Sequence, residues 1–198
     1  VMKCERIPLG AQGAYLDTYF LADSPELKAG ACRPAVVVCP GGGYAYTSDR
    51  EAEPIALALC ARGFHACVLR YPCAPARFPA ALRALAEAVA WVRAGAAENH
   101  VDPRQISVCG FSAGGHLAGS LGVFWNAPFL AAETGLAPQD MRPDKMVLCY
   151  PVITGGEFAH KGSFDNLLGA DADAARRAEV SLEQHVTQDT PPAFLWHT

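Results

Sequence analysis

The chain has 198 residues, of which 51% are hydrophobic and 18% are charged, and its formal net charge is −4. These values are typical of one globular domain with a sizeable core, and the lack of a basic cluster argues against nucleic acid as a partner. No apolar run reaches the roughly 18 residues of a membrane span, and the start does not read as a secretory signal. We therefore expect no membrane partner and a cytoplasmic protein.

In the first half of the chain, strand patterns precede and alternate with helix patterns. The run Ala-Val-Val-Val-Cys is apolar throughout, which is typical of a strand buried on both faces of a parallel sheet. The predicted strands of this half are residues 3–8, 14–21, 35–39 and 64–71. Helices are predicted over residues 50–62 and 79–98, the second with apolar residues at helical spacing along one face.

The second half continues the alternation. Strands are predicted at residues 106–110, 145–150 and 193–197, and helices at residues 113–123 and 171–179, with a short helical turn at 181–183. Two stretches, residues 125–143 and 152–170, are predicted to be irregular because of their prolines, glycines and polar residues. Strands alternating with helices predict an α/β fold in which a mostly parallel sheet is doubly wound, as a single domain over residues 1–198.

Eight cysteines are present, and four of them lie in apolar runs of the predicted strands. Cysteine in such a position behaves as a small hydrophobic residue. The spacings match no zinc pattern and form no C-x-x-C pair, so no metal site is predicted. Free thiols are typical of a reducing cytoplasm, and a core of this size needs no disulfides.

Residues 110–114 read Gly-Phe-Ser-Ala-Gly and fit the pattern G-x-S-x-G between a predicted strand and a predicted helix. In that context the pattern is typical of a nucleophile elbow, in which a sharp turn pushes a serine clear of the backbone. The free amides at the start of the following helix face an anion that forms there. We therefore interpret Ser112 as a nucleophile; a glycine-rich turn with an idle serine is the alternative.

Residues 40–44 read Pro-Gly-Gly-Gly-Tyr and follow an early parallel strand. Glycines allow the backbone to turn its amides toward a ligand, and such amides stabilise the oxyanion of an acyl-transfer intermediate. A plain glycine-rich loop or a phosphate-binding loop would also fit three glycines. The sequence lacks the Gly-Lys-Ser or Gly-Lys-Thr ending of a Walker loop, which disfavours the phosphate alternative.

These two motifs belong to a longer resemblance. Together with Arg-Tyr-Pro-Cys-Ala-Pro at 70–75, Phe-Pro-Ala-Ala-Leu at 78–82 and Thr-Pro-Pro-Ala-Phe at 190–194, they resemble in order the acetyl-esterase branch of the α/β-hydrolases. That branch is related to the hormone-sensitive-lipase-like esterases and to bacterial acetyl xylan esterases. The resemblance implies the α/β-hydrolase fold and hydrolysis of carboxylic esters through an acyl-serine, with no metal and no cofactor.

Carried over by position, the resemblance implies that Ser112 is the nucleophile. It assigns the amides of Gly42, Gly43 and Ala113 to the oxyanion hole. Pro40 stands where the lipase-like group often has histidine, which leaves the backbone donors in place and removes one orienting side chain. The Pro-Gly-Gly-Gly start is more similar to the acetyl xylan esterases.

The resemblance also implies a carboxylate and a histidine that follow the serine in that order. It places the carboxylate just after the strand ending at His197 and the histidine beyond one further strand. We therefore expect these 198 residues to lack the last strand and helix and to have little or no activity. The natural enzyme should then have about 250 residues, and an active natural protein of 21 kDa would contradict this.

The histidines of the chain are predicted to be structural rather than basic catalysts. His116 lies one helical turn after Ser112 and is predicted to pack against the elbow, and His197 is predicted to support the end of the last strand. The other histidines are predicted to be structural or surface residues: His65, His100, His160 and His185.

The substrate implied by the resemblance is a small acyl ester, of which acetyl on a sugar or xylan fragment fits best. Tyr44, Tyr71 and Phe111 are candidates for its binding site, since the first two follow the carboxyl ends of strands, where ligands bind in open α/β sheets. Core packing fits these aromatic residues equally well. A serine peptidase of the same fold and a non-catalytic binding module remain alternative functions.

Without a further strand beside it, the apolar strand at the end of the chain is an exposed sheet edge. Such an edge presents unpaired backbone groups that another chain can bind. The sequence therefore predicts a homo-oligomer formed through this edge.

Overall fold

The computed structural model describes residues 2–11 and 13–197. Seven strands form one sheet, and in chain order they are β1 (Lys3–Pro8), β2 (Tyr15–Phe20), β3 (Arg33–Cys39), β4 (His65–Arg70), β5 (Val101–Phe111), β6 (Lys145–Cys149) and β7 (Ala193–Trp196). Across the sheet the order is β1-β2-β4-β3-β5-β6-β7. The pairings of β2 with β1 and β4 are antiparallel and the others are parallel, which confirms the mostly parallel α/β sheet.

Eight helices connect or flank these strands in the part of the chain that the structure describes. They are α1 (Pro25–Lys28), α2 (Glu53–Cys60), α3 (Ala80–Ala94), α4 (Ala113–Phe124), α5 (Pro128–Thr134), α6 (Pro138–Met141), α7 (Lys161–Leu168) and α8 (Ala174–Ala178). Two 3₁₀ turns add Asp49–Glu51 and Leu182–Gln184. Over this same part of the chain, no helix combines the length and the apolar character needed to cross a membrane.

The two faces of the sheet carry separate cores. The larger core holds α3, α4 and the residues of the sheet that they cover, and the smaller core packs α2 against the opposite face. The predicted apolar face of α3 is confirmed, because Leu82, Leu85, Val89 and Val92 are all buried. This packing fixes α3 beside α4, the helix that follows Ser112.

Several predicted boundaries are wrong for identifiable reasons. The stretch 125–143 contains α5 and α6, each of which begins at a proline, because the fixed φ of proline suits the first turn of a helix. The stretch 152–170 contains α7, whose Phe164 and Leu167 are buried one helical turn apart. The predicted helix 50–62 is divided into a 3₁₀ turn and α2, and it ends at Cys60.

β7 lies at the edge of the sheet and pairs with β6. Three consecutive apolar side chains on it are exposed: Phe194 by 64%, Leu195 by 57% and Trp196 by 47%. This exposure is the physical basis of the predicted self-association. The homo-oligomer stays a prediction, which sedimentation of the purified chain would test.

Candidate active site

Ser112 occupies the sharp turn between β5 and α4 that the G-x-S-x-G pattern predicts. Its φ of 53° and ψ of −117° are rare for a residue with a side chain, and such strain persists only where neighbouring contacts hold it. The Ser112 amide donates to the Cys149 carbonyl at 3.1 Å, and the Ser112 carbonyl accepts from the Val152 amide at 3.0 Å. The end of β6 therefore fixes the turn, and the serine side chain lies in a cleft.

The loop after β3 lies directly against this turn. A β-carbon added at Gly41 would lie 3.1 Å from the β-carbon of Ser112. Gly42 and Gly43 have φ values of 134° and 64°, and an added β-carbon at Gly42 would lie 2.1 Å from the Tyr46 carbonyl oxygen. Glycine is therefore required at position 42 both by the backbone conformation and by the space available.

The amides of Gly42 and Gly43 have no hydrogen-bond acceptor within residues 2–11 and 13–197. Ala113 is the first residue of α4, and the first amides of a helix have no intrahelical acceptor. The positive end of the α4 dipole lies at the same place. These features suit an anion that forms beside Ser112, and the assignment of the three amides to an oxyanion hole stays a prediction.

Tyr44 and Tyr71 support the glycine loop from inside the protein. Both side chains are buried; the Tyr44 hydroxyl bonds to Nδ1 of His116 at 2.8 Å, and the Tyr71 hydroxyl donates to the Pro40 carbonyl at 2.5 Å. Of the two roles that the sequence left open, the structure places these residues in core packing rather than in the cleft wall. Phe111, by contrast, is only partly buried. The centre of its ring lies 5.9 Å from that of Tyr150, and Tyr150 lines the cleft.

His116 is buried and has a partner on each ring nitrogen. Nε2 bonds to the Val180 carbonyl at 2.8 Å, so Nε2 carries the proton and Nδ1 accepts from Tyr44. Burial lowers the pKa of His116 to about 4, and it outweighs the opposing effects of the Val180 carbonyl and of Glu183. The structure therefore confirms a structural role for this residue.

This environment predicts that stability falls between pH 7 and pH 4. In that range the unfolded chain binds a proton at His116, with a pKa near 6.5, whereas the folded chain does not. The free energy of unfolding should fall by up to about 1.4 kcal/mol per pH unit and by about 3 kcal/mol in all. Urea denaturation at pH 7, 6, 5 and 4 measures this change.

The matched control for this prediction is His116→Gln. A glutamine amide can still accept from the Tyr44 hydroxyl and donate to the Val180 carbonyl, but it does not titrate. Burial also lowers the pKa of His65, so part of the pH dependence will remain in the variant. Parallel stability curves for the two proteins would contradict the assignment to His116.

An open cleft of about 430 Å³ lies beside Ser112. Its wall is the segment after β6, including Tyr150 and Phe158, and two histidines, His160 and His197, also line it. Nδ1 of His160 bonds to the Ser163 hydroxyl at 2.8 Å. The predicted surface position of His160 is confirmed, because its side chain is exposed, and the structure adds that it lines the same cleft as Ser112.

The remaining histidines lie elsewhere. His185 packs its ring 4.7 Å from that of Phe124, and His65 bonds through Nε2 to the His100 carbonyl at 3.2 Å. Within residues 2–11 and 13–197, no group of three or more histidine, cysteine, aspartate or glutamate side chains could hold a metal ion.

Two site residues were missed by the sequence reasoning. The Tyr150 hydroxyl donates to Oε1 of Glu51 at 2.8 Å, while Oε2 accepts from the Gly41 amide at 2.7 Å. Tyr150 immediately follows a buried strand, which was an available signal. No sequence signal pointed to Glu51, because its partner Tyr150 is 99 positions away in the sequence.

Comparison with known proteins places the chain in a family. The BD-FAE family model matches residues 23–198. The chain belongs to the BD-FAE family.

This BD-FAE chain is 35% identical over 175 residues to endo-1,4-beta-xylanase B of Butyrivibrio fibrisolvens, covering 84% of the chain and 27% of that protein. It is 28% identical over 186 residues to the acetylxylan esterase of Xylanibacter ruminicola, covering 89% of the chain and 34% of that protein. The chain thus spans about a third or less of the length of these curated relatives.

Solved structures show the same relationship. An acetyl ester-xyloside bifunctional hydrolase from Caldicellulosiruptor lactoaceticus superposes with a TM-score of 0.83 at 35% identity, over 98% of this chain and 74% of that one. The carboxylesterase Cest-2923 from Lactobacillus plantarum superposes with a TM-score of 0.81 at 28% identity, over 99% of this chain and 71% of that one. The α/β-hydrolase fold and the relationship to esterases are therefore confirmed.

Proposed function

We propose that this BD-FAE chain carries the nucleophile and the oxyanion donors of a carboxylic ester hydrolase for small acyl esters. The observation that carries the proposal is Ser112, held at a φ of 53° on a strand-to-helix turn and exposed to a cleft. Strained backbone of this kind is concentrated at functional sites. A neutral serine hydroxyl is a weak nucleophile, so the proposed reaction also needs a base to activate it. The glycine loop beside it supplies the complementary amides.

The proposed reaction proceeds in two halves. The Ser112 oxygen attacks the ester carbonyl carbon, and its proton passes to a general base. The oxyanion that forms accepts hydrogen bonds from the amides of Gly42, Gly43 and Ala113. The intermediate collapses to an acyl-serine as the base returns the proton to the leaving alcohol, and water then releases the acid by the same steps.

For the substrate, we propose acetyl groups on a sugar or xylan fragment. Support comes from relatives that are named acetylxylan esterase and acetyl ester-xyloside bifunctional hydrolase. The cleft is open and therefore has room for a bulky leaving group. Its wall offers Phe158, which is 86% exposed, and the polar ring of His160.

Labelling and a substrate panel test the reaction class. We expect a fluorophosphonate to modify Ser112, located by mass spectrometry of the digested protein, because this reagent reacts with activated serines. We also expect p-nitrophenyl acetate and acetylated xylo-oligosaccharides to be cleaved in preference to peptide p-nitroanilides. The reverse preference would indicate a peptidase, whereas the absence of both labelling and hydrolysis in this chain and in any longer form that contains it would indicate a binding module.

A further inference from the structure

Glu51 connects two parts of the cleft that are far apart in sequence. It ends the 3₁₀ turn Asp49–Glu51, shortly after the glycine loop, and it is only partly exposed. One carboxylate oxygen accepts from the Gly41 amide at 2.7 Å and the other from the Tyr150 hydroxyl at 2.8 Å. Hydrogen bonds to an ionised carboxylate are shorter and about twice as strong as those between neutral groups.

The two partners of this carboxylate both lie near Ser112. The α-carbon of Gly41 is so close that an added β-carbon would lie 3.1 Å from the Ser112 β-carbon. Tyr150 lines the same cleft as Ser112 and donates its amide to the Trp196 carbonyl at 2.6 Å. Glu51 therefore joins the loop after β3 to the ends of β6 and β7.

Each partner belongs to a segment with unusual backbone angles. The two residues after Gly41 have φ values of 134° and 64°, which glycine adopts readily. Tyr150 has a φ of 36°, which is strained for a residue with a side chain. Strained backbone persists only where the surrounding structure fixes it. Burial and the neighbouring Glu51 raise the pKa of Tyr150 to about 12, so its hydroxyl remains a donor at neutral pH.

The other carboxylate of the same turn provides a contrast. Asp49 pairs with Arg70 at 2.8 Å, and its side chain is 92% exposed. It contacts neither the glycine loop nor the cleft wall among the contacts of the described residues. The two acidic residues therefore share one turn but face different surroundings, which makes Asp49 a matched control.

We propose that Glu51 is a positioning residue of the esterase site. Its carboxylate holds the Gly41 amide and the Tyr150 hydroxyl, and thereby sets the position of the oxyanion loop relative to Ser112. The inference rests on the proposed function, because a position matters for catalysis only if the site is catalytic. Glu51 itself bonds to protein groups on both oxygens, and it acts through the amides of the loop.

The first test measures the loop without requiring activity. In Glu51→Ala, hydrogen exchange of the Gly41 amide, followed by NMR, should be at least about tenfold faster than in the wild type, because the buried amide loses its acceptor. Asp49→Ala should leave this rate within about twofold. Glu51→Gln should keep most of the protection, because its side chain can still accept from Gly41 and donate to Tyr150. Equal exchange in Glu51→Ala and the wild type would overturn the proposal.

Tyr150→Phe is the second variant, and it deletes a single hydroxyl from one side of the carboxylate. We expect a smaller acceleration of exchange at Gly41 in this variant, because Glu51 loses one of the two bonds that orient it. If Glu51→Ala does not fold, this variant and Glu51→Gln decide the question. Wild-type exchange in Tyr150→Phe would then overturn the link across the cleft.

The second test is kinetic. Glu51→Ala should lower kcat for p-nitrophenyl acetate about 10- to 100-fold while KM changes less than about threefold, because misplaced oxyanion donors weaken the transition state more than substrate binding. Glu51→Gln should recover most of the rate. Binding of phenylboronic acid, which forms a tetrahedral serine adduct, should weaken by a similar factor.

The outcomes separate the two proposals. If neither this chain nor any longer form that contains it hydrolyses esters or reacts with a fluorophosphonate, the proposed function is wrong, and the exchange measurement still decides whether Glu51 positions the loop. An active wild type in which Glu51→Ala matches Asp49→Ala in kcat, KM and boronate affinity would overturn the role of Glu51 alone.

Discussion

Ser112→Ala is expected to lower kcat for p-nitrophenyl acetate at least about a thousandfold, in this chain or in any longer form that contains it. The substitution removes the atom that forms the acyl-enzyme, while the glycine loop and the start of α4 remain. Among the described residues, no hydrogen bond to the Ser112 hydroxyl supports the fold. Initial rates at saturating substrate, with melting temperatures for both proteins, measure the effect.

Ser107→Ala is the control for this prediction. Ser107 lies on β5, the same strand that leads into the elbow, but it is outside the cleft beside Ser112. Its substitution should leave both kcat and fluorophosphonate labelling unchanged. If Ser112→Ala keeps the wild-type rate, hydrolysis proceeds through another group and the acyl-serine proposal is wrong.

The elbow and the glycine loop could be predicted from the sequence because their conformations depend on local chemistry. The turn at Ser112 needs small residues around the serine. The loop has φ values of 134° and 64° at Gly42 and Gly43. Glycine meets both requirements, so both features can be recognised from glycines in the sequence. The parallel sheet was equally visible, because strands covered on both faces become continuous apolar runs. These features require no knowledge of which elements meet in space.

The contacts that support the loop could not be predicted, since they depend on the order of strands in the sheet. Glu51 reaches Tyr150 across 99 positions, and Tyr44 reaches His116 across 72. A tyrosine after a strand is compatible with a substrate site or with the core, and only the position of His116 behind the loop distinguishes the two for Tyr44. The exposed position of His160 was predicted correctly, but its place beside the cleft was not, because α7, which follows it directly, was not recognised.

The second large effect is expected at Gly114, where α4 meets the end of β3. A β-carbon added there would lie 2.1 Å from the Cys39 carbonyl oxygen and 2.5 Å from that of Pro40. Both are backbone atoms, so no side chain can rotate away and the helix must shift from the sheet. We expect Gly114→Ala to lower the free energy of unfolding by about 3 kcal/mol, at the upper end of the usual cost of overpacking.

The same shift would separate the start of α4 from the glycine loop, so the activity of any folded Gly114→Ala protein should fall as well. Urea denaturation measures the stability, and Gly162→Ala is the control. Gly162 lies in α7, and the nearest atom to an added β-carbon is 3.9 Å away. Alanine favours a helix over glycine, so this variant should be unchanged or up to about 1 kcal/mol more stable. An equal response of the two variants would mean that helix propensity, and not contact with the Cys39 and Pro40 carbonyls, determines the residue at position 114.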